Sequence, residues 1–563
     1  MSKLPGITAE GRGRGIAKVA ALAVGQAVAA GVATFATRNI FIAFHQPSAS
    51  LPVLDLCLVA AAGLAIAGLR MAERVVAERV GQEYAGSLRI KLFSHLARMS
   101  ERDVAGRRAG ALAMRFVGDL TAVRNWVSLG IARLISASVV LPAATGVLFF
   151  LNPTLAAAAS IPIALGLIAM AVAGPRLGPA TRQLRSRRWR LAADMMERVP
   201  HAPELRLLGR IDVEIAQLMR RTEAMIASAI TRARGAALLR AIPDVVSGTA
   251  HAGLLLAAFL SASPAAEAAA AMAALSLMIL PMRDLAGVWD RHRAWIIARE
   301  KCASVLAAPT IKRRRGEYHS PLEDTPPLLR FSKVDAGVLV GINIEAQPGQ
   351  KVAIVGGNGV GKSTLLRLAA GLEQAASGQI LLSGRDASDL SAIERRRMIA
   401  LMGPRSPILA GSLRRALTMG SSQRATDIEI LAQAQAFGLG DVLQRLGGLD
   451  GTLAEGGRNL SSGEARRVLL TRVALSGARL LLLDEPEDTL DSAAADLVAN
   501  LILTTPATVL VVTHNLALVR RMDVLWFVDH GQVIEVGAPD VLLAGDGATA
   551  RHFKPRPAAQ QGI

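Results

Sequence analysis

Aromatic side chains are scarce in this chain, at 3% of residues with two tyrosines, yet 52% of residues are hydrophobic and mean hydropathy is +0.37. The apolar content is therefore Ala, Leu, Val and Ile, as in close-packed membrane helices. That is too apolar for a typical soluble enzyme, and 563 residues suggest two or more domains. Cysteine is nearly absent. Cys57 and Cys302 sit far apart in apolar or helical surroundings, which offers neither a disulfide framework nor a metal site; both read as packing residues. Acidic residues are in deficit, 45 against 64 Lys and Arg, for a formal net charge of +19. No basic–aromatic patch accompanies that excess. It reads as the positive-inside decoration of a membrane protein, with no nucleic-acid partner. A cleavable leader is not expected either, because the first apolar stretch is long and lacks a convincing cleavage site before the next.

The apolar residues gather in the first half. Six stretches, at 16–36, 51–69, 127–151, 154–173, 236–260 and 268–280, come near the roughly 20 residues that cross a bilayer as a helix. The short connections at 39–50, 152–153 and 261–267 hold no Lys or Arg, whereas the long connections after the second and fourth stretches are dense in Arg. Lys3, Arg12, Arg14 and Lys18 add positive charge at the N-terminus. Charge placement then puts the N-terminus, both long connections and the second half of the chain in the cytoplasm, as for a multi-pass protein of a bacterial inner membrane. Each long connection reads as helix with few breakers. Two legs of about 25 residues would reach roughly 35–40 Å beyond the bilayer, turning near Glu101–Arg107 and Pro200–Pro203.

Asp55, Arg133, Arg240, Asp244, His251, Arg283 and Asp284 fall inside the spans or at their edges. Ionisable groups at that depth face a cavity or one another. Arg133, Asp244, His251, Arg283 and Asp284 are therefore candidates for a substrate cavity; for His251 a helix–helix hydrogen bond is an equal alternative. Pro243 and Pro281 are expected to kink their helices.

A Pro- and charge-rich linker at 308–327 follows the last helix, and from about residue 328 short apolar strands alternate with amphipathic helices. In "KVAIVGGNGVGKSTLLRL" a buried strand at 351–355 runs into Gly356, four residues, then Gly361, Lys362 and Ser363, and a helix opens at once. Strand, glycine loop and helix in that order make a phosphate-binding loop. Backbone N–H groups from Gly356 through Asn358, Gly359 and Gly361 to Thr364 wrap the phosphates. Lys362 reaches the β/γ oxygens and Ser363 can hold Mg²⁺. In "RLLLLDEPEDTLD" a strand delivers Asp484, suited to Mg²⁺, and Glu485, placed to polarise a water for in-line attack. The strand at 508–512 delivers Thr513 and His514, with His514 a candidate γ-phosphate contact. "NLSSGEARRVLL" (459–470) reads locally as a capped helix start, Ser461 and Glu464 having capping-box spacing. It also holds free backbone N–H groups out for an anion.

Taken together, these residues resemble the ATP-binding cassette transporters, specifically the exporter-type half-transporters, over nearly the whole chain. The phosphate loop, the Asp484–Glu485 strand, Asp491 of the D-loop and His514 match that family's motifs position by position. "NLSSGE" falls where the family carries its Leu-Ser-Gly-Gly-Gln signature, preceded by Glu455 and Gly457 of its Gly-Glu-x-Gly element. The resemblance implies a dimer whose cassettes meet head to tail, each ATP held between one chain's phosphate loop and the other's signature, Ser461, Ser462, Gly463 and Glu464. It also implies coupling helices at the two cytoplasmic turns. Three departures stand out. The Q-loop glutamine position is Pro404, and no Gln occurs from 392 to 422. No adenine-stacking aromatic follows Val334, a loss on the scale of 1–2 kcal/mol, roughly that of other aromatic contacts. In the signature, Ser462 and Glu464 differ, and an acid pointed at a γ-phosphate is unfavourable.

The expected fold is multi-domain. An all-α six-helix transmembrane domain occupies residues 1–307, a linker 308–327, an α/β phosphate-loop nucleotide-binding domain 328–550 and a tail 551–563. The expected function is ATP- and Mg²⁺-dependent export of an unidentified substrate by a dimer in a lipid membrane. A homodimer is preferred to a heterodimer with a related half-transporter. The alternatives are one subunit of a heterodimer with a degenerate ATP site, an importer with exporter architecture (for a siderophore or peptide), and a non-transporting membrane ATPase.

Overall fold

The computed structural model describes residues 4–44, 51–105, 112, 115–311, 325–421 and 424–554. The far part of the first expected turn (106–107), residues 312–324 of the linker and the tail beyond 554 lie outside the described residues. The chain divides into two compact units, Met1–Met99 with Val104–Pro309, and Ser100–Asp103 with Thr310–Ile563.

In the first unit the long helices are α1 (Arg12–Phe44), α2 (Val53–Leu96), α3 (Ala132–Leu151), α4 (Pro153–Ala173), α5 (Gly178–Arg198), α6 (Ile211–Leu260), α7 (Ala265–Ala286) and α8 (Val288–Leu306). Among the described residues, six helices, at Arg12–Phe44, Val53–Leu96, Phe116–Leu151, Pro153–Arg176, Ile211–Leu260 and Ala265–Leu306, are long and apolar enough to cross a membrane. The 44 residues of α2 and 50 of α6 are about 65 and 75 Å long, so the spans do continue as helix far past bilayer thickness. Helices α6 and α7 run on through Pro243 and Pro281. The break between α3 and α4 is local chemistry. Asn152 is extended, its Oδ1 accepts from the N–H groups of Thr154 (3.0 Å) and Leu155 (3.3 Å), and Pro153 opens the next helix.

Leu148, Leu155, Ala159, Ala250, Leu254, Leu275 and Met278 interlock α3, α4, α6 and α7 in one core. The most apolar window of α2 is, by contrast, only 6% buried within the chain, leaving Leu54, Leu58 and Leu64 exposed. That is how a helix facing lipid looks. It corrects the reading of Cys57 as a packing residue: Cys57 is exposed on this face, whereas Cys302 is buried. The second turn also differs from expectation. Pro200 lies in a 3₁₀ turn (Val199–His201) and Pro203 in the first turn of a short helix (Ala202–Leu207). The reversal comes afterwards at 208–210, where Gly209 has φ +64°. Proline suits helix starts, so these two prolines begin helix rather than end it.

The second unit is built on strands β1 (Leu329–Ala336), β2 (Leu339–Ala346), β3 (Lys351–Gly356), β4 (Ser377–Leu382), β5 (Arg385–Asp386), β6 (Ile399–Met402), β7 (Gly411–Ser412), β8 (Thr452–Leu453), β9 (Leu480–Asp484), β10 (Thr508–Val512), β11 (Val524–Asp529) and β12 (Gln532–Gly537). The main sheet has the order β12-β11-β3-β10-β9-β6, with β2-β1-β4-β5 a second, antiparallel sheet. From β11 to β6 all pairings are parallel; β12 is the antiparallel edge. Along β9, Leu481 and Leu483 belong to one core and Leu480 and Leu482 to the other. Alternation of side chains across a strand therefore supplies both faces of a sheet covered on both sides. Helices α9 (Lys362–Ala369), α10 (Ser462–Ala474) and α11 (Ser492–Thr504) carry the residues that matter below.

Candidate functional site

Parallel pairing brings three separated motifs to one edge. On β10, Val512 pairs with Ile354 of β3 on one side and Asp484 of β9 on the other. The segments leaving these strands, the glycine loop, Glu485 and Thr513–His514, therefore emerge side by side at the carboxyl ends, where open α/β sheets bind ligands. Met402 of β6 pairs with Leu483, so Gly403 and Pro404 emerge at the same edge.

The loop after β3 needs its glycines. Gly356 has φ +152°, and a Cβ there would lie 2.1 Å from the Val528 carbonyl oxygen. Gly361 has φ +111°, and its Cβ would meet Leu339 Cδ2 at 2.4 Å. Asn358 and Gly359 stand exposed at the crest, while Thr364 sits in the first turn of α9. Lys362 is folded back, its Nζ donating to the carbonyls of Gly356 (2.7 Å) and Gly357 (2.8 Å). Burial pushes its ammonium below the usual lysine range, while Glu485 and Asp484 pull the other way. Asp484 is buried and its carboxyl is pushed up by that burial, opposed by a hydrogen bond with Ser363. A hydroxyl and a carboxylate in contact are hard oxygen donors of the kind Mg²⁺ takes beside phosphates, so the residues present fit that ion.

Glu485 has φ +50°, rare for a non-glycine residue and typical of functional sites. Its N–H donates to the Val512 carbonyl at 2.9 Å, and its Oε1 stands 3.4 Å from Nε2 of His514. Glu487 was not singled out from sequence. Its Oε1 accepts from the Thr513 hydroxyl, its Oε2 is buried without a hydrogen-bond partner among the described residues, and burial raises its pKa.

At the start of α10, where the signature was expected, both halves of the capping box form. The Glu464 N–H donates to Ser461 Oγ at 3.2 Å and the Ser461 N–H donates to Glu464 Oε2 at 2.8 Å. Ser461 and Ser462 are exposed, and Gly463 is half-buried. Sequence reasoning missed Arg445, whose two terminal nitrogens donate to Glu464 Oε1 and Oε2, each at 2.9 Å. That fork holds the Glu464 carboxyl down to about 2, so the acid that looked awkward near phosphate is already paired. Asp491 caps α11 through the Ala494 N–H (2.8 Å) and pairs with Arg467 (3.1 Å). Beside Pro404, Arg405 pairs with Glu101 at 3.1 Å, and Arg367 takes the other Glu101 oxygen at 3.3 Å. Where the stacking aromatic would lie, the exposed Val338 and the buried Leu339 sit beside Gly361.

The polar residues of the first unit form separate groups. Arg283 Nη2 and Asp244 Oδ1 pair at 2.6 Å. His251 approaches the Ser247 carbonyl (2.7 Å) on its own helix and Ser276 Oγ (3.4 Å) on α7. Arg133 lies between Asp284 (3.3 Å) and Glu73 (3.6 Å). Glu73, another residue the sequence did not flag, is buried and accepts from Gln26 Nε2 at 2.6 Å. Asp55 accepts from Asn39 instead, away from these groups.

Residues 339–488 match the family described as ABC transporter, and residues 19–280 match the ABC transporter transmembrane region. The chain is 30% identical over 482 residues to the glutathione/L-cysteine transport system ATP-binding/permease protein CydC of Escherichia coli (strain K12), covering 82% of each. It is 26% identical over 478 residues to an ATP-dependent lipid A-core flippase of Syntrophus aciditrophicus, covering 83% of this chain and 79% of that one. It is 35% identical over 284 residues to the mycobactin import ATP-binding/permease protein IrtB of Mycolicibacterium thermoresistibile. That match spans about half the length of the relative, 48%, and 49% of this chain. A solved structure described as a bacterial Atm1-family ABC exporter with ATP bound superposes with a TM-score of 0.82 at 20% identity, covering 98% of this chain and 99% of that one. With both the membrane and the cassette regions matched on one polypeptide, this chain belongs to the ABC transporter family, its ATP-hydrolysing cassette following a six-span membrane region.

Proposed function

We propose that the chain is a half-transporter that couples ATP binding and hydrolysis to export of a substrate, working as a dimer. The single observation that carries this reading is the meeting of the glycine loop, Asp484–Glu485 and His514 at one edge of the parallel sheet, in a chain with six membrane-length helices. ATP's phosphates take the N–H groups of residues 356–364, and Lys362 exchanges the Gly356 and Gly357 carbonyls for β/γ oxygens. Ser363 and Asp484 hold Mg²⁺, which when bound neutralises phosphate charge. Glu485 polarises the attacking water, and His514 holds Glu485 on one side and the γ-phosphate on the other. The N–H groups at Ser462 and Gly463, left over by the capping box that engages the Ser461 N–H, close on the ATP of the second chain, so each site needs two copies. Closed cassettes bind ATP better than open ones, and that difference in affinity drives the membrane switch. The N-terminus and cassette lie in the cytoplasm of a bacterial inner membrane, on the charge asymmetry of the loops.

Glu485→Gln should keep ATP binding while hydrolysis stalls, read with labelled nucleotide and phosphate release in proteoliposomes. Normal turnover would remove Glu485 from the water-activating role.

The partial match to a protein named for mycobactin import supports a second reading, uptake of a siderophore-like molecule. Transport in right-side-out against inside-out vesicles separates the two directions. The absent glutamine at Pro404 supports a heterodimer with one weak site; ATP hydrolysis by this chain purified alone would count against it.

A further inference from the structure

Three of the chain's five tryptophans meet in one place, in a protein only 3% aromatic. Trp126 lies 4.8 Å from the His292 ring and is stacked on Trp295 at 5.4 Å; Trp289 meets His292 edge-on at 6.2 Å. Arg299 covers Trp295 at 4.9 Å. Trp126, Trp289 and His292, with Leu134, Leu167 and Met170, line a half-open cavity of about 260 Å³ within the first unit. That is close to the low end of the roughly 300–1,000 Å³ of small-molecule pockets. It lies at the ends of α3 and α4 about 25 Å of helix away from their Asn152 connection, where α7 passes into α8.

The indoles are placed there by backbone features. Trp126 begins a π-helical turn (Trp126–Ile131), an irregularity that re-aims side chains and recurs at functional sites. A Cβ at Gly130 would lie 2.3 Å from the Trp126 ring, and one at Gly174 would lie 2.4 Å from the Trp289 ring. Two glycines thus clear the space the two rings occupy. Belt tryptophans that merely anchor a helix in lipid would not pack on one another, and Trp126 is only 8% exposed. Among the described lining residues His292 is the sole ionisable group. The surface therefore suits flat π-faces and offers little for a charged ligand.

We propose that this cavity binds a flat aromatic ring system of two or three fused rings carrying one hydrogen-bonding group, which His292 receives. Resting on the transporter reading, it is the part of the membrane unit that recognises the ring portion of the transported molecule.

The full chain, purified in detergent, is titrated with 6-bromo-2-naphthol, whose bromine quenches indole emission on contact. Saturable quenching is expected, leaving the emission of Trp189 and of the fully buried Trp526 of the second unit. Trp289→Leu and His292→Ala should each shift half-saturation about tenfold, and Trp189→Phe should not. Quenching that is linear and equal in all variants is partition into the micelle and overturns the site, as does saturable binding unchanged in both Trp289→Leu and His292→Ala. In nanodiscs made with dibrominated-acyl phosphatidylcholine, unbrominated 2-naphthol should restore the quenched emission. Lipid quenching that 2-naphthol leaves untouched means an acyl chain fills the cavity, which also overturns it. ATP hydrolysis in the same samples separates the two readings. Binding that leaves the ATPase rate unchanged refutes the transport role of the site, and ATP-driven transport without binding refutes the site while the transporter reading stands.

Discussion

Removing the Arg445 guanidinium should weaken ATP use without touching any residue of the glycine loop after β3. In the structure Arg445 grips both oxygens of Glu464, each at 2.9 Å, in the first turn of α10. The pair is neutral as a unit. In Arg445→Ala, Glu464 stays ionised at neutral pH and leaves a bare negative charge beside the N–H groups at Ser462 and Gly463. One charge at a helix N-terminus changes anion affinity by about two- to fivefold, so the KM for ATP should rise by that factor. Glu464→Gln alone leaves Arg445 unbalanced and should lower KM by a similar factor, while Arg445→Ala with Glu464→Gln should return close to the parent. The assay is ATP hydrolysis against ATP concentration in proteoliposomes at low salt; both shifts should shrink at about 0.5 M salt, where charges are screened within a few ångströms. Unchanged KM in both single variants would refute the argument and leave the pair as a helix cap alone. The same pair sets a pH dependence. Glu464 is drawn from 4.5 to about 2, so its contribution to stability is complete above 4.5 and disappears as pH falls toward 2.

Lys362→Ala should lose nucleotide affinity, measured with labelled ATP in detergent, because no other Lys or Arg lies in residues 352–366 of the loop region. Gly356→Ala should destabilise the cassette by more than about 1 kcal/mol, since its Cβ would strike the backbone oxygen of Val528; the thermal midpoint of Trp526 emission, in a background with the other four tryptophans replaced by phenylalanine, reads this. Glu487→Gln should raise that midpoint at pH 7.5, by about 1 kcal/mol of stability. Burial raises the Glu487 pKa, so its stabilising, protonated form is complete below 4.5 and is lost as pH rises through the folded value. The advantage of the glutamine should therefore vanish toward pH 4, and a gap independent of pH would refute the burial argument.

Motifs that depend on backbone torsion or on spacing along one element were legible in the residues. Gly356 and Gly361 announced a tight loop because only glycine accepts those torsions beside a neighbouring chain. Ser461 and Glu464 announced a capping box because a helix brings N-cap and third position together. The six spans were legible from length and composition. Their outward faces were not: Cys57 sits in apolar sequence and Cys302 directly after Arg299, Glu300 and Lys301, yet Cys57 is exposed and Cys302 is enclosed. The prolines at 200 and 203 misplaced a turn because proline marks both helix starts and loop ends, and the sequence does not say which.

The sequence by itself thus determined the membrane-length helices, the glycine loop after β3 and the acidic end of β9, since each is written within about 20 consecutive residues. Tertiary structure decided which side chains are partners. Arg445 reaches Glu464 across 19 positions, Arg133 reaches Glu73 across 60, and Trp126 reaches His292 across 166. Those partners meet only because helices pack and parallel strands align, and side-chain periodicity carries no record of which face will meet which.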